Sequence, residues 1–357
     1  MTYRTFVRSL AFSLALGLPI AAMACDRGTR DAIAMSTTGA SPGGRGEGRT
    51  ATKAGSSSPD GVRASSSGGD TASDSTRRLP PNHSGRIPVL EYHVIGGEKN
   101  ALYTRTRDSF RADLEDVYKR GYRPITVAQL VDKDFSDVPV GMSPVVVVFD
   151  DASPEQFSYV EENGTLTIDS TSAVGIWLDF AKSHPGWNNR AVFCMLNGAA
   201  AGHNFFGDAV KWRGQRREWR FEKVRWLAAN GFELCAHTLW HAKLNKYPDH
   251  VVQEQIARNV MGIDSAVAGY RVRTLALPYG LWPKNRELAW RGSWTDPKTG
   301  KTHSYAFDAV LEVSGGPTLS PYDPQFTARS ITRIQAIGDD IRKTLDRLDA
   351  TKTRFVR

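Results

Sequence analysis

The chain has 357 residues, 40% of them apolar and 24% charged, and a formal net charge of +8. The excess is spread out: Arg4 and Arg8 supply it in the first 25 residues, and residues 26–85 set eight Lys/Arg against six Asp/Glu. About half of it is left for the rest of the chain, too mild a balance to argue for a nucleic-acid partner.

Residues 1–25 carry two arginines, an apolar run from Leu10 to Ala22 and then Met23-Ala24-Cys25, the layout of a secretory signal. The run is short for a membrane-spanning helix. Cys25 stands where a lipoprotein signal places its acylated cysteine, so an exported, membrane-anchored protein of the cell envelope is expected, with plain secretion as the alternative. In residues 26–85 Ser, Gly and Thr make up about half the chain and aromatics are absent, so no core can offset the entropy of ordering. The segment reads as a flexible tether with a reach of roughly 40–45 Å. From Arg86 to Arg357 the length suits one large domain.

Within that domain Ile87–Tyr92 (IPVLEY) reads as a buried strand, and Asp108–Arg120 as a helix with Phe110, Leu114 and Val117 on one face and Gly121 as its stop. Pro144–Phe149 (PVVVVF) is a β-branched strand too continuous to be half exposed. A helix over Ser170–Lys182, a strand over Arg190–Leu196, a helix over Phe221–Asn230 and a strand over Phe232–Ala236 follow. A long helix over Val251–Tyr270 leads to strands at Arg273–Leu277, Ala306–Val313 and Ser330–Ile334 and a closing helix at Ile337–Ala350. Strand and helix alternate throughout, which predicts an α/β fold of parallel strands with crossover helices. The length favours a barrel over an open sheet, although periodicity does not settle closure. Cys194 and Cys235 both fall inside apolar strands and are expected as buried free thiols. The inserts Gly198–Glu218 and Gly280–His303 are long for such connections. The basic, aromatic stretch KWRGQRREWRF (Lys211–Phe221) offers sugar-stacking rings, or more simply the start of a helix packed on the barrel.

Polar residues gather at one end of these strands. His93 follows VLEY, Asp150 and Asp151 follow VVVVF, His237 follows FELCA, and Pro278-Tyr279-Gly280 follows LAL. The C-terminal ends of parallel barrel strands share one face, where active sites are built. An Asp-Asp pair in a loop is commonly a solvated turn, and a lone histidine mostly satisfies local hydrogen bonds. Directly after buried strands, however, two carboxylates need a cation or strong donors, and one carboxylate with two imidazoles leaves a coordination position for water. The His-x-x-x-His pair at His237 and His241 lacks the glutamate of a zincin helix, since Thr238 stands there.

VVFDD, HTLWH and LPYG, in this order, resemble the NodB-homology polysaccharide deacetylases, carbohydrate esterase family 4, over nearly all of Ile87 to Ile334. VLEYH is similar to the exported branch acting on poly-N-acetylglucosamine, in which the motif order is permuted. The resemblance implies a distorted (β/α) barrel of about seven parallel strands. It also implies a divalent metal, zinc first with cobalt, nickel, manganese or iron as alternatives, held by Asp151, His237 and His241. Asp150 would be the general base, His93 the general acid, and the Tyr279 amide an oxyanion donor, with Trp240 and Pro278 beside the substrate groove. The implied reaction removes N-acetyl groups from a hexosamine polysaccharide, and protein partners are left unspecified. Two departures stand out: Ala152 follows the Asp-Asp pair in place of glycine, and Ala276 takes the place of an arginine that orients the base, so Arg333 is expected to approach Asp150 instead. An O-acetyl esterase, a non-catalytic glycan-binding module and an anchored protein with a purely structural metal remain open as alternatives.

Overall fold

A computed structural model describes residues 78–198, 204–207 and 214–357. The signal, Cys25 and residues 26–77 of the expected tether lie outside the described residues. Seven strands form the centre: β1 (Val89–Tyr92), β2 (Ser143–Asp150), β3 (Val192–Met195), β4 (Glu233–Ala236), β5 (Thr274–Ala276), β6 (Ala309–Gly315) and β7 (Ile331–Gln335). Each pairs in parallel with the next, and β7 returns to β1, so the sheet closes on itself. Closure buries the strands on both faces and accounts for their unbroken apolar runs.

The two faces hold different residues, as the period of two demands. Leu90, Val145, Val147, Phe193, Leu234 and Leu275 point outward against the helices. These are α1 (Arg107–Lys119), α3 (Ala173–Ser183), α4 (Arg220–Ala229), α5 (Asp249–Ala266) and α6 (Asp340–Thr351). Val89, Val146, Val148, Val192, Ala276, Leu311 and Ile331 form a second core inside the barrel. A short helix the sequence reading passed over, α2 (Val127–Asp132), closes the base of that core with Val127 and Leu130. It begins in a capping box, Thr126 with Gln129.

The expectation of free thiols is corrected. Cys194 and Cys235 are register partners on β3 and β4, both side chains lie in the lumen, and they form a disulfide with Cα atoms 4.1 Å apart. Neighbouring parallel strands bring together two residues 41 positions apart, and only the register reveals it.

Residues 78–85, expected in the tether, belong to the fold. The Asn82 amide donates to the Val356 carbonyl and the Val356 amide donates back, while the Leu79 amide donates to the Gly141 carbonyl, so residues 78–85 are sewn onto the base of the barrel. Two hairpins also went unpredicted. Tyr159–Glu162 pairs with Thr165–Ile168 around Asn163-Gly164, both with positive φ, and Arg291–Thr295 pairs with Thr302–Ala306 inside the second long insert. Among the described residues no helix is long and apolar enough to cross a membrane.

Candidate active site

The lumen parity that carries Val89, Val146 and Cys235 carries, two to four residues later, His93, Asp150 and His237. Strand alternation alone therefore delivers these side chains to the mouth of the barrel. Asp151 and Ala152 follow in left-handed turns, φ 78° and 51°. Ala152 thus adopts the conformation a glycine would take without strain. The Ala152 carbonyl accepts from the Phe206 amide at 3.0 Å.

Asp151 Oδ1 lies 3.4 Å from His237 Nε2 and 3.5 Å from His241 Nε2. Thr238 and His241 both have positive φ, which folds the segment back so that the two imidazoles sit 4.9 Å apart. The His237 Nδ1 atom is 2.9 Å from the Ala276 carbonyl, an acceptor only, so Nδ1 carries the proton and Nε2 presents its lone pair. Asn259 on α5 fixes the backbone here: its Oδ1 accepts from the His237 amide and its Nδ2 donates to the Met195 carbonyl. Among the described residues, Asp151 Oδ1 and His237 Nε2 are buried without a hydrogen-bond partner. Buried polar atoms rarely stay so, and a carboxylate with two imidazoles is a donor set suited to a divalent ion such as zinc. The residues therefore fit a metal.

Asp150, buried beside them, is held by Arg333, whose Nη1 donates to its carboxylate at 2.9 Å. The guanidinium arrives from β7, two strands along the ring from Ala276 on β5. Arg333 also donates through Nε to the Glu312 carbonyl, and that Nε lies 3.4 Å from Glu91 Oε2. Glu91 is the residue sequence reasoning missed. Its other oxygen is 3.5 Å from His93 Nε2, so one buried carboxyl touches the frames of both Asp150 and His93. The available signal was its parity: a single charged residue in an apolar strand, two before His93. Gln156 ties the same two residues by backbone, donating from Nε2 to the His93 carbonyl at 2.7 Å and the Asp150 carbonyl at 2.5 Å.

The charges follow from these contacts. Burial raises the Asp150 carboxyl, but Arg333, His237 and His93 outweigh it and leave it below its ordinary value. Asp151 is likewise held well below the usual range, burial being overcome by His237 and the neighbouring imidazoles. Burial pushes Glu91 up to about 8 against the pull of Arg333. His93 is lowered, mainly by burial, with Asp150 and Asp151 opposing. His241 is pushed down to about 4 by burial and by His237, which leaves it neutral and able to ligate.

Tyr279 sits at φ 57° in the turn after β5, its ring 4.3 Å from His241, and Pro278 beneath it is buried. Trp240 is 51% exposed at the rim, between the two histidines. The structure thus brings His93, Asp150, Asp151, His237, His241 and Tyr279 to one mouth, with Pro278 and Trp240 adjoining Tyr279 and His241 in the chain. Trp219 of the basic stretch is buried against Tyr159, which favours the helix-packing alternative for it, while Lys211 to Arg213 lie outside the described residues.

Residues 187–291 match the family model described as polysaccharide deacetylase. No curated protein matches the chain. Among solved structures, the deacetylase PplD of Streptococcus pyogenes is 14% identical, with 74% of this chain and 98% of that one covered and a TM-score of 0.50. IcaB of Ammonifex degensii is 16% identical over 72% of this chain and 95% of that one, TM-score 0.49. A polysaccharide deacetylase of Bacillus anthracis is 15% identical over 73% and 69%, TM-score 0.49. Over residues 187–291 the chain is thus similar to polysaccharide deacetylases, and it folds as a distorted (β/α) barrel of seven parallel strands.

Proposed function

We propose that the protein is a metal-dependent hydrolase that removes N-acetyl groups from a hexosamine-containing polysaccharide and releases acetate. The observation that carries this reading is the pair of buried, unpartnered atoms, Asp151 Oδ1 and His237 Nε2, facing one another beside an Asp150 already held by Arg333. Asp151, His237 and His241 would hold the ion, zinc being the first choice, which when bound supplies Lewis acidity toward the acetyl carbonyl and the attacking water.

Asp150 takes the proton of that water as general base. Arg333 fixes the orientation of its carboxylate and keeps it ionised, the office left open by Ala276. The Tyr279 amide, in its left-handed turn beside His241, donates to the oxyanion where charge develops. His93 gives a proton to the departing nitrogen. An amide needs that proton where an ester needs it less. Pro278 sets the turn that carries Tyr279, and Trp240 lines the groove.

Export is part of the proposal, with anchoring at Cys25 and the polysaccharide as partner. The Cys194–Cys235 disulfide supports an oxidising compartment. The test is acetate release by the full chain from β-1,4 and β-1,6 N-acetylglucosamine oligomers, peptidoglycan and acetylated xylan, with and without a chelator. Release from an N-acetylated substrate that the chelator stops and Asp150→Asn abolishes is the expected result. Release from xylan alone would transfer the reading to O-acetyl esters, and metal binding without release from any substrate would remove it.

A further inference from the structure

The mouth of the barrel has two lips, and each carries exposed aromatic surface on a strained backbone. On one side stand Trp240 and Tyr279, 51% and 48% exposed. On the other, the loop between His93 and α1 presents Leu102 at 58% and Tyr103 at 47% exposure, with the Tyr103 ring 4.8 Å from the His93 imidazole. Tyr103 has φ 66° and Tyr279 φ 57°, a conformation that bulky side chains adopt at a cost of about 1–3 kcal/mol. Glycine would fit both turns without strain, yet both hold a ring out into solvent.

The Tyr103 loop is rigid in design. The Val94 amide donates to the Tyr103 carbonyl at 3.0 Å, the Gly96 amide to the Arg105 carbonyl at 2.8 Å, and Ala101 and Thr104 bond each other in both directions. Asn100 ties the loop to the start of α1, accepting from the Thr106 amide and donating to Ser109 Oγ. Arg105 anchors it to Asp113 at 2.6 Å. Between this loop and the ends of β1 and β7 the cleft measures about 10 Å³, barely room for one water. Tyr103 is therefore a fixed wall.

The strand order places the two lips opposite one another. In a closed ring of seven, the strand carrying His93 is farthest from β4 and β5, which carry Trp240 and Tyr279. A ligand touching both lips must cross the mouth over Asp150 and Asp151.

We propose that Tyr103 stacks on a sugar of the substrate chain, opposite Trp240 and Tyr279, so that the site takes internal residues of a polymer with flat apolar sugar faces, such as a β-linked hexosamine chain. This rests on the deacetylase reading. Tyr103 is a specificity residue in it, acting on the sugar beside the reacting one.

The test uses the full chain loaded with zinc, with β-1,4 and β-1,6 N-acetylglucosamine pentamers and p-nitrophenyl acetate, which carries no neighbouring sugar for Tyr103 to stack on. Tyr103→Ala is expected to raise KM for the pentamer that the wild type deacetylates by about five- to tenfold, with kcat and p-nitrophenyl acetate hydrolysis held within about twofold. Tyr103→Trp should restore the pentamer KM. An equal fall in kcat on both substrates would assign Tyr103 to holding the reacting centre in place and overturn the proposal, as would an unchanged pentamer KM. If the wild type cleaves the aryl acetate but neither pentamer, the N-acetyl reading fails by itself. Pentamer binding by calorimetry then decides: binding that Tyr103→Ala weakens supports the wall, and no binding overturns it.

Discussion

The barrel lumen has a buried carboxylate at each end, and the two ends treat it in opposite ways. At the base, Glu233 is closed off: the Thr274 hydroxyl donates to one oxygen at 2.6 Å and the Ala128 amide, in the first turn of α2, to the other at 2.9 Å. At the mouth, among the described residues, Glu91 has both oxygens without a hydrogen bond, and Asp151 Oδ1, His237 Nε2 and Arg333 Nη2 are buried in the same condition. Burial costs are similar at the two ends, so the difference lies in what has been left unsatisfied. A satisfied buried acid holds structure together, whereas a cluster of unsatisfied donors and acceptors around one point is arranged for something that arrives later. The contrast separates site from scaffold without reference to sequence motifs.

If the contrast is right, the largest effects belong to the mouth. Asp150→Asn is nearly isosteric and should lower kcat/KM by about 10² to 10⁴. Zinc stoichiometry, measured by elemental analysis, should stay unchanged because Asp150 is not among the proposed ligands. Loss of the metal along with activity would merge base and ligand into one role and blur the division of labour between Asp150 and Asp151. Arg333→Met is next. Removing one partner of a buried charge pair should cost about 3–5 kcal/mol of stability, and adding Asp150→Asn should return most of it, since position 150 then carries no charge that has lost its partner. Denaturant unfolding of the two single variants and the double variant checks this, and additive losses would show that Arg333 is held by Glu312 and Glu91 instead.

Much of this was legible beforehand, for reasons that sort by distance along the chain. Strand alternation is local, so the seven strands and the residues at their ends could be read directly. His93, Asp150, Asp151, His237 and Tyr279 meet because each ends or closely follows a strand that ends at the same rim, and His241 joins them through the fold-back at Thr238. The disulfide was not legible, because the register of β3 on β4 decides it and register is a tertiary property. Glu91 was hidden by a convention of reading, in which one acid within IPVLEY looks like an outward position, although its parity matches His93. The hairpin at Asn163-Gly164 carried a recognisable turn pair and was simply passed over. Arg333 lies in between: the alanine at 276 created the need for a guanidinium, and the last strand held an arginine in the right place.

Two smaller effects sharpen the contrast between the ends through pH and through function. Glu91 is raised to about 8, above the ordinary 4.5, so it is protonated in the folded protein and ionised in the unfolded chain between those values. Its contribution is fully present below about 4.5 and is lost as pH rises through about 8. Glu91→Gln stays neutral, so its melting temperature relative to wild type, measured on metal-free protein, should climb from pH 5 to 8 and then level off. A gap that does not change with pH would mean that Arg333 keeps Glu91 ionised throughout.

Glu233→Gln is the smallest change and the cleanest control. The Thr274 hydroxyl can rotate from donor to acceptor and take a hydrogen from the new amide group, while the remaining side-chain oxygen still accepts from the Ala128 amide. Both hydrogen bonds at the base are then kept, and the loss should be at most about 1 kcal/mol. Glu233→Ala strips both acceptors and leaves the Ala128 amide buried without a partner, which should cost more, roughly 2–4 kcal/mol, by thermal unfolding. Neither variant should alter kcat or zinc binding, since the apolar lumen of Val148, Val192 and Ala276 stands between the base and the mouth. A change in kcat would mean that strain travels along β4 from Glu233 through Cys235 to His237. The disulfide at Cys235 would then couple the two ends, and the base would cease to be mere scaffold.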